Sequence, residues 1–156
     1  MCNGDFMQIF KIDDFNFKRN LTFKILNDLP EWFDNDLKNK VMKDLAESIY
    51  FTVNYNYGYS AFLSAIVVKK EVLEISGIGV FKNSQRQKCG KSLIDALKQY
   101  ARMKKFEFIS IQIKDDESQD ANYLKTRRFF TKIGFKEVTK FYKEGVPYTV
   151  MVSKVM

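Results

Sequence analysis

Apolar positions along the chain recur with two periods. Met7–Ile12 alternates and predicts a short strand. Asp13-Asp14 then supplies an N-cap signal for a helix through Phe17, Leu21, Ile25 and Leu26, which Pro30 ends. Leu37, Val41 and Leu45 are spaced by four and predict a second helix over residues 35–48. Ile49–Tyr55 is rich in β-branched and aromatic residues and predicts a strand. The turn 56–60 leads into a strand over 61–68, so this region reads as a β-hairpin, and Lys69-Lys70 turns the chain into a third strand, Val72–Val80.

After a loop over 81–87, Leu93, Leu97 and Ala101 lie on one helical face with Ala96, Tyr100 and Met103 beside it. A strand over 108–113 carries Ile109, Ile111 and Ile113 on one face, and residues 114–120 are polar enough for a loop. A helix over 121–133 closes at Gly134, a residue suited to the C′ position. Strands over 135–141 and 148–153, joined through 144–147, complete the chain. The order β-α-α-β-β-β-α-β-α-β-β implies an α/β (α+β) fold: a mixed, mostly antiparallel sheet of about seven strands flanked by about four helices. The segment from Val72 to Ile113, strand-helix-strand, reads as a right-handed parallel crossover.

At 156 residues with no Ser/Gly/Pro-rich linker or internal repeat, the chain reads as a single domain over 1–156. Histidine is absent, which removes Ser-His-Asp and Cys-His nucleophile systems and His-ligated zinc. With only Cys2 and Cys89, a four-cysteine zinc site and a disulfide framework are excluded, so no metal is expected. No apolar run reaches the length of a membrane span, and no signal peptide is visible, which makes the cytoplasm the default location. The net charge of +7 suggests either an anionic partner or a lysine-rich solubilising surface.

The most informative stretch runs from Gly77 to Ile94. A strand enters a polar, basic loop, and the loop opens a helix. Helix N-termini leave backbone N–H groups unpaired and carry partial positive charge, so a diphosphate fits there. Gly90 allows close approach, and Arg86, Lys88 and Lys91 add charge; an ordinary βα turn with a solvated basic face would look similar. The P-loop pattern G-x-x-x-x-G-K-[ST] fits 85–92 except that Gln85 stands at the first glycine, and residues 81–84 separate it from its strand.

Gln85-Arg86-Gln87-Lys88-Cys89-Gly90 resembles motif A of the GNAT superfamily of acyl-CoA-dependent N-acyltransferases, Q/R-x-x-G-x-G/A, with Lys88 in place of its first glycine. Asn122 to Phe135 resembles the family's second signature, in which a helix carrying N-x-x-x-x-x-x-F-Y runs into x-x-x-G-F. Leu29-Pro30-Glu31-Trp32-Phe33 and Asn122-Tyr123-Leu124-Lys125-Thr126-Arg127 are similar to the L-P-E-W-F and N-Y-x-K-T-R motifs of one bacterial subgroup.

That resemblance implies the GNAT fold, with the parallel strands around Val72–Val80 and 108–113 splayed to admit the arm of acetyl-CoA. It implies diphosphate binding by the amides of Gln85, Arg86, Gln87, Lys88, Cys89, Gly90, Lys91 and Ser92, and backbone pairing of Ile78, Gly79 and Val80 with the pantetheine arm. Gly77 and Gly79 suit close ligand approach or a bulge. Asn122 and Phe130 match positions that commonly touch the cofactor.

In such a reaction an amine must be made neutral and a thiolate protonated. Glu74 lies where relatives often carry a general base, and a solvated outward-facing carboxylate is the alternative. The backbone N–H of Gly79 or Val80 can polarise the thioester carbonyl. The usual acid is the tyrosine of the F-Y pair, but here the pair is Phe129-Phe130; Tyr123, Tyr142 and Tyr148 are substitutes by residue type. Cys89 sits among basic residues at a helix start, which favours a lowered thiol pKa, although a small apolar packing role is the preferred reading.

Trp32, Phe33, the 55–57 turn and the 144–148 loop are candidate walls for the acceptor. The expected activity is acetyl transfer to a primary amine of a small molecule or peptide by direct attack. The rivals are a catalytically weak or inactive acyl-CoA-binding relative and a GNAT acting on charged transfer RNA. No RNA-binding aromatic motif is visible, which argues against nucleic acid as a partner; a homodimer is open.

Overall fold

Asp14 starts the first helix by accepting the Phe17 N–H on its side chain at 2.9 Å, and Asp34 starts the second by accepting from Leu37 N at 2.8 Å. The computed structural model describes residues 7–55, 58–85, 88–115 and 121–155. The strands are β1 (Met7–Ile12), β2 (Ile49–Tyr55), β3 (Gly58–Lys69), β4 (Val72–Val80), β5 (Phe108–Lys114), β6 (Lys136–Lys143) and β7 (Val146–Lys154). The helices are α1 (Phe15–Asp28), α2 (Asn35–Asp44), α3 (Cys89–Met103) and α4 (Ala121–Lys132).

The strands form one seven-stranded sheet in the order β1-β2-β3-β4-β5-β7-β6. Only the β4–β5 pair is parallel among the strand pairs described. The expected mixed, mostly antiparallel sheet is therefore what the chain forms. Its two faces carry separate cores. Leu73, Ile75, Leu93, Ile94, Leu97, Ile109, Ile111 and Phe130 belong to one, under α3 and α4. Leu21, Ile25, Leu26, Val41, Tyr50 and Phe62 belong to the other, under α1 and α2. No helix among the described residues is long and apolar enough to cross a membrane.

Several boundaries differ from the sequence pattern, among them the following. The second helix stops at Asp44 and tightens into a 3-10 turn over Leu45–Glu47. There Ser48 bonds back to Leu45 O through both its N–H (3.1 Å) and its hydroxyl (2.9 Å), and the buried Lys18 Nζ donates to Leu45 O and Ser48 O. Strand β3 begins at Gly58, so the hairpin turn is shorter than expected; residues 56–57 lie outside the described residues. Likewise β7 begins at Val146, because Glu144 (φ 53°) and Gly145 (φ 81°) both adopt the left-handed conformation of a tight two-residue hairpin turn.

Candidate active site

The parallel ladder between β4 and β5 runs from Val72↔Phe108 to Ile75↔Ile111 and stops there. Strand β4 nevertheless continues to Val80 and β5 to Lys114. The sheet thus contains a fork between two strands that stay bonded to their outer neighbours, β3 and β7. A bulge sits at its apex: Ser64 faces Gly77 and Ala65 faces Ile75, so Ser76 has no opposite residue on β3. The extra residue shifts the alternation by one. Leu73, Ile75, Ile78 and Val80 consequently all serve the core beneath α3.

Phe81 N–H donates to Ser60 O at 2.9 Å. Alternation along the strand then turns Gly79 N–H toward β3, and the polar backbone groups of Ile78 and Val80 toward the fork. Of the three strand residues singled out in the sequence, Ile78 and Val80 therefore present backbone to the gap, and Gly79 does not. The space beside both glycines is filled by side chains of the helices and of β3. A Cβ on Gly79 would stand 2.9 Å from Ile25 Cγ2, and one on Gly77 would stand 2.8 Å from Val41 Cγ1. They let α1 and α2 lie close to the sheet.

Beyond β4, a 3-10 turn (Lys82–Ser84) leads toward α3. Gln85 is engaged within the loop, its N–H with Lys82 O and its side-chain amide with Val80 O. Arg86 and Gln87 lie outside the described residues. Lys88, the N-cap, has φ 59° and ψ 25°. The lysine that replaces the motif's first glycine thus adopts the left-handed conformation that glycine favours.

Ser92 N is the first to join the helix ladder, bonding Lys88 O at 3.1 Å, while its hydroxyl contacts Met7 Sδ. Helix geometry leaves the amides of Lys88, Cys89, Gly90 and Lys91 without an i−4 partner, whereas those of Gln85 and Ser92 are bonded. Gly90 faces α4, where a Cβ would meet Phe129 Cζ at 3.1 Å. Cys89 is buried (1% exposed), and desolvation pushes its thiol up, outweighing a backbone hydrogen bond. The expected lowering does not occur, and Cys89 is a packing residue in the core.

Glu74 sits one residue before the ladder ends, opposite Ser110. Its side chain is 12% exposed; Oε1 accepts from Gln112 Nε2 at 3.1 Å, and Oε2 lies 3.9 Å from Lys40 Nζ. Lys40 also reaches Asp44 Oδ2 (3.4 Å), which accepts from the bulge hydroxyl Ser76 Oγ at 2.6 Å. This polar cluster at the apex was not singled out from the sequence, because α2, β4 and β5 contribute to it from separate parts of the chain. Of its members only Glu74 was singled out in the sequence; Gln112, a polar residue flanked by Ile111 and Ile113, carried a further local signal.

Tyr123 OH lies 2.9 Å from Thr149 Oγ1 on β7. Thr149 faces Ile113 of β5, level with the open fork. Phe130 is 1% exposed and packs edge-to-face against Phe129 and Phe135, so its ring belongs to the core and not to a ligand surface. Phe33 is also a core residue. Tyr148 stacks on Phe141, and Tyr142 is exposed.

The Asn122 side-chain amide donates to Glu31 O at 2.8 Å. The 29–33 and 122–127 segments thereby meet. The 29–33 loop and its flanks also hold both arms of the fork. On the β4 side, Asp28 Oδ2 accepts Lys82 N (2.8 Å) and Glu31 pairs with Lys82 Nζ (3.4 Å). On the β5 side, Asp34 pairs with Lys114 at 2.5 Å. Partial burial would raise the Asp34 carboxyl, but the Lys114 hydrogen bond and charge, with the Leu37 and Asp36 amides, hold it below the usual aspartate value. The segment is a strap across the open end of the fork. Among the described residues, no group of three His, Cys, Asp or Glu side chains is arranged to hold a metal ion.

Comparison with known proteins matches this geometry to solved folds. An acetyltransferase of the GNAT family from Staphylococcus aureus shares 12% identity at TM-score 0.75, covering 96% of this chain and 99% of that one. The ribosomal-protein-S18-alanine N-acetyltransferase from Escherichia coli shares 14% at TM-score 0.71, covering 96% and 94%. An aminoglycoside 6′-N-acetyltransferase complexed with coenzyme A shares 14% at TM-score 0.71, covering 96% and 97%. No curated protein matches the sequence. The model of the acetyltransferase (GNAT) family matches residues 19–135, the segment that holds the strap, the fork, α3 and α4. The chain belongs to the acetyltransferase (GNAT) family.

Proposed function

We propose that the protein transfers an acetyl group from acetyl-CoA to a primary amine of a small molecule or peptide, by direct attack without a covalent acyl-enzyme. The observation that carries this reading is the ladder that ends at Ile75↔Ile111 while both strands run on. Such a gap offers an extended acyl-pantetheine arm the backbone groups of Ile78 and Val80. The unpaired amides at the start of α3, with Lys88 and Lys91 nearby, suit the diphosphate. The basic balance of the chain favours the same anionic cosubstrate.

In this reading Glu74 removes a proton from the acceptor ammonium, directly or through water. The Val80 N–H polarises the thioester carbonyl. Tyr123, held by Thr149, supplies the proton that the departing thiolate takes up. Asn122 contributes by tying the strap to α4.

Calorimetry with acetyl-CoA, followed by thiol release with a panel of primary amines, tests the assignment. We expect saturable binding and amine-dependent release. Glu74→Gln should slow release by roughly a hundredfold with unchanged acetyl-CoA affinity, and Tyr123→Phe should slow it less if the thiolate leaves unaided. Absence of binding heat overturns the reading. One observation favours a second reading, an acyl-CoA-binding protein without turnover: Phe130 has no hydroxyl and its ring is buried. Binding without thiol release for any amine would select it.

A further inference from the structure

The amine nearest the proposed base belongs to the protein itself. Lys40 Nζ lies 3.9 Å from Glu74 Oε2 and 3.4 Å from Asp44 Oδ2. Asp44 is in turn bonded to Ser76 Oγ, and Ser76 is the bulge residue at the apex of the fork. A short series of polar contacts therefore runs from this ammonium to the point where the strands part. Other lysine pairs differ. Lys91 and Lys11 meet Asp95 and Asp13 on open surface, where the carboxylates are 59% and 87% exposed; Glu74 and Asp44 are 12% and 20% exposed. Lys140 also has a sheltered partner, Asp115, but at the far end of β5 on an edge hairpin.

We propose that Lys40 is an acceptor of the protein's own site and becomes Nζ-acetylated when acetyl-CoA is the only substrate present. This inference rests on the acetyl-CoA reading above. Glu74 takes one proton from the Lys40 ammonium. The freed Nζ lone pair forms a bond to the thioester carbonyl carbon, and the carbon–sulfur bond breaks. Sulfur leaves with its electron pair and is protonated to free CoA. Nζ gives up its second proton to solvent and becomes a neutral amide, so the balance is one acetyl group moved and one proton released. No oxidant or further co-reactant is needed. Acetylation removes the charge that Glu74 and Asp44 share, and so changes how an external ammonium is received between them.

The test incubates the full chain with acetyl-CoA and no added amine, then quantifies acetyl occupancy at Lys40, Lys91 and Lys140 by peptide mass spectrometry. Urea-unfolded protein provides the chemical background. Lys40 should be modified well ahead of the other two, at a rate independent of protein concentration, as a reaction within one chain requires. Glu74→Gln should slow Lys40 modification by roughly a hundredfold and leave Lys91 and Lys140 at background. Lys40→Arg, which keeps the charge beside Glu74 and Asp44, should abolish the amine-independent release of CoA; its melting temperature checks that the fold is intact. If acetyl-CoA binds but Lys40 is modified no faster than Lys91, Lys140 or unfolded chain, this inference is overturned and the proposed function stands. If calorimetry detects no acetyl-CoA binding, the proposed function itself fails and Lys40 acetylation with it.

Discussion

A methyl group on Gly77 would stand 2.8 Å from Cγ1 and 3.1 Å from Cγ2 of Val41, a fully buried side chain of α2. The glycine is there for helix packing. Gly77→Ala should therefore cost about 1–3 kcal/mol in urea denaturation, as overpacked cores do. In a Val41→Ala background the same change should cost less, because the space is vacated; a cycle showing full additivity would contradict the contact.

Lys88 separates conformation from charge. Both Lys88→Ala and Lys88→Gly remove the ammonium, so both should weaken acetyl-CoA binding to a similar extent. Only glycine takes φ 59° without strain. The glycine variant should be more stable than the alanine variant by about 1 kcal/mol in thermal melts. Equal stability would mean that the left-handed conformation is not retained.

Asn122→Ala removes the bond to Glu31 O that joins α4 to the strap. We expect a loss of about 0.5–1.5 kcal/mol and faster amide exchange at residues 29–34. Unaltered exchange there would show that the bond does not hold the strap.

Asp34 both caps α2 and pairs with Lys114. Asp34→Ala should cost about 0.5–2 kcal/mol near neutral pH through the lost cap alone. The sign of its pH dependence follows from the lowered carboxyl. The stabilisation is fully present above the unfolded value of 3.8, and disappears as pH falls through the lower folded value. The stabilities of wild type and variant should thus converge in acid.

Lys18 is buried, and burial lowers its amine from the usual 10.5. Its Nζ satisfies Leu45 O and Ser48 O at the end of the 3-10 turn. Lys18→Met should cost about 1–3 kcal/mol by leaving those carbonyls without this donor. Because the folded amine holds its proton less tightly than the unfolded one, stability should rise with pH across the interval below 10.5 in wild type and not in the variant. Urea midpoints at several alkaline pH values measure the difference.

What the chain determined locally is extensive. Residues that serve one face repeat at helical or strand spacing, so Ile49–Tyr55 and Val72–Val80 were legible end to end. The caps at Asp14 and the loop-to-helix start near Cys89 are contacts within a few residues and were legible for the same reason. Three motifs in order carried the family, and the family model agrees. The glycines were visible, but their purpose was not: the atoms that exclude a Cβ at Gly77 belong to Val41 and Phe62. The bond from Asn122 to Glu31 O spans 91 residues and carries no local signal. The cluster of Lys40, Asp44, Glu74, Ser76 and Gln112 has no spacing to betray it. Local hydrogen bonding and side-chain periodicity are written in the chain. Which distant side chains exclude or neutralise one another depends on how α2, β4 and β5 pack, and the tertiary structure alone decides it.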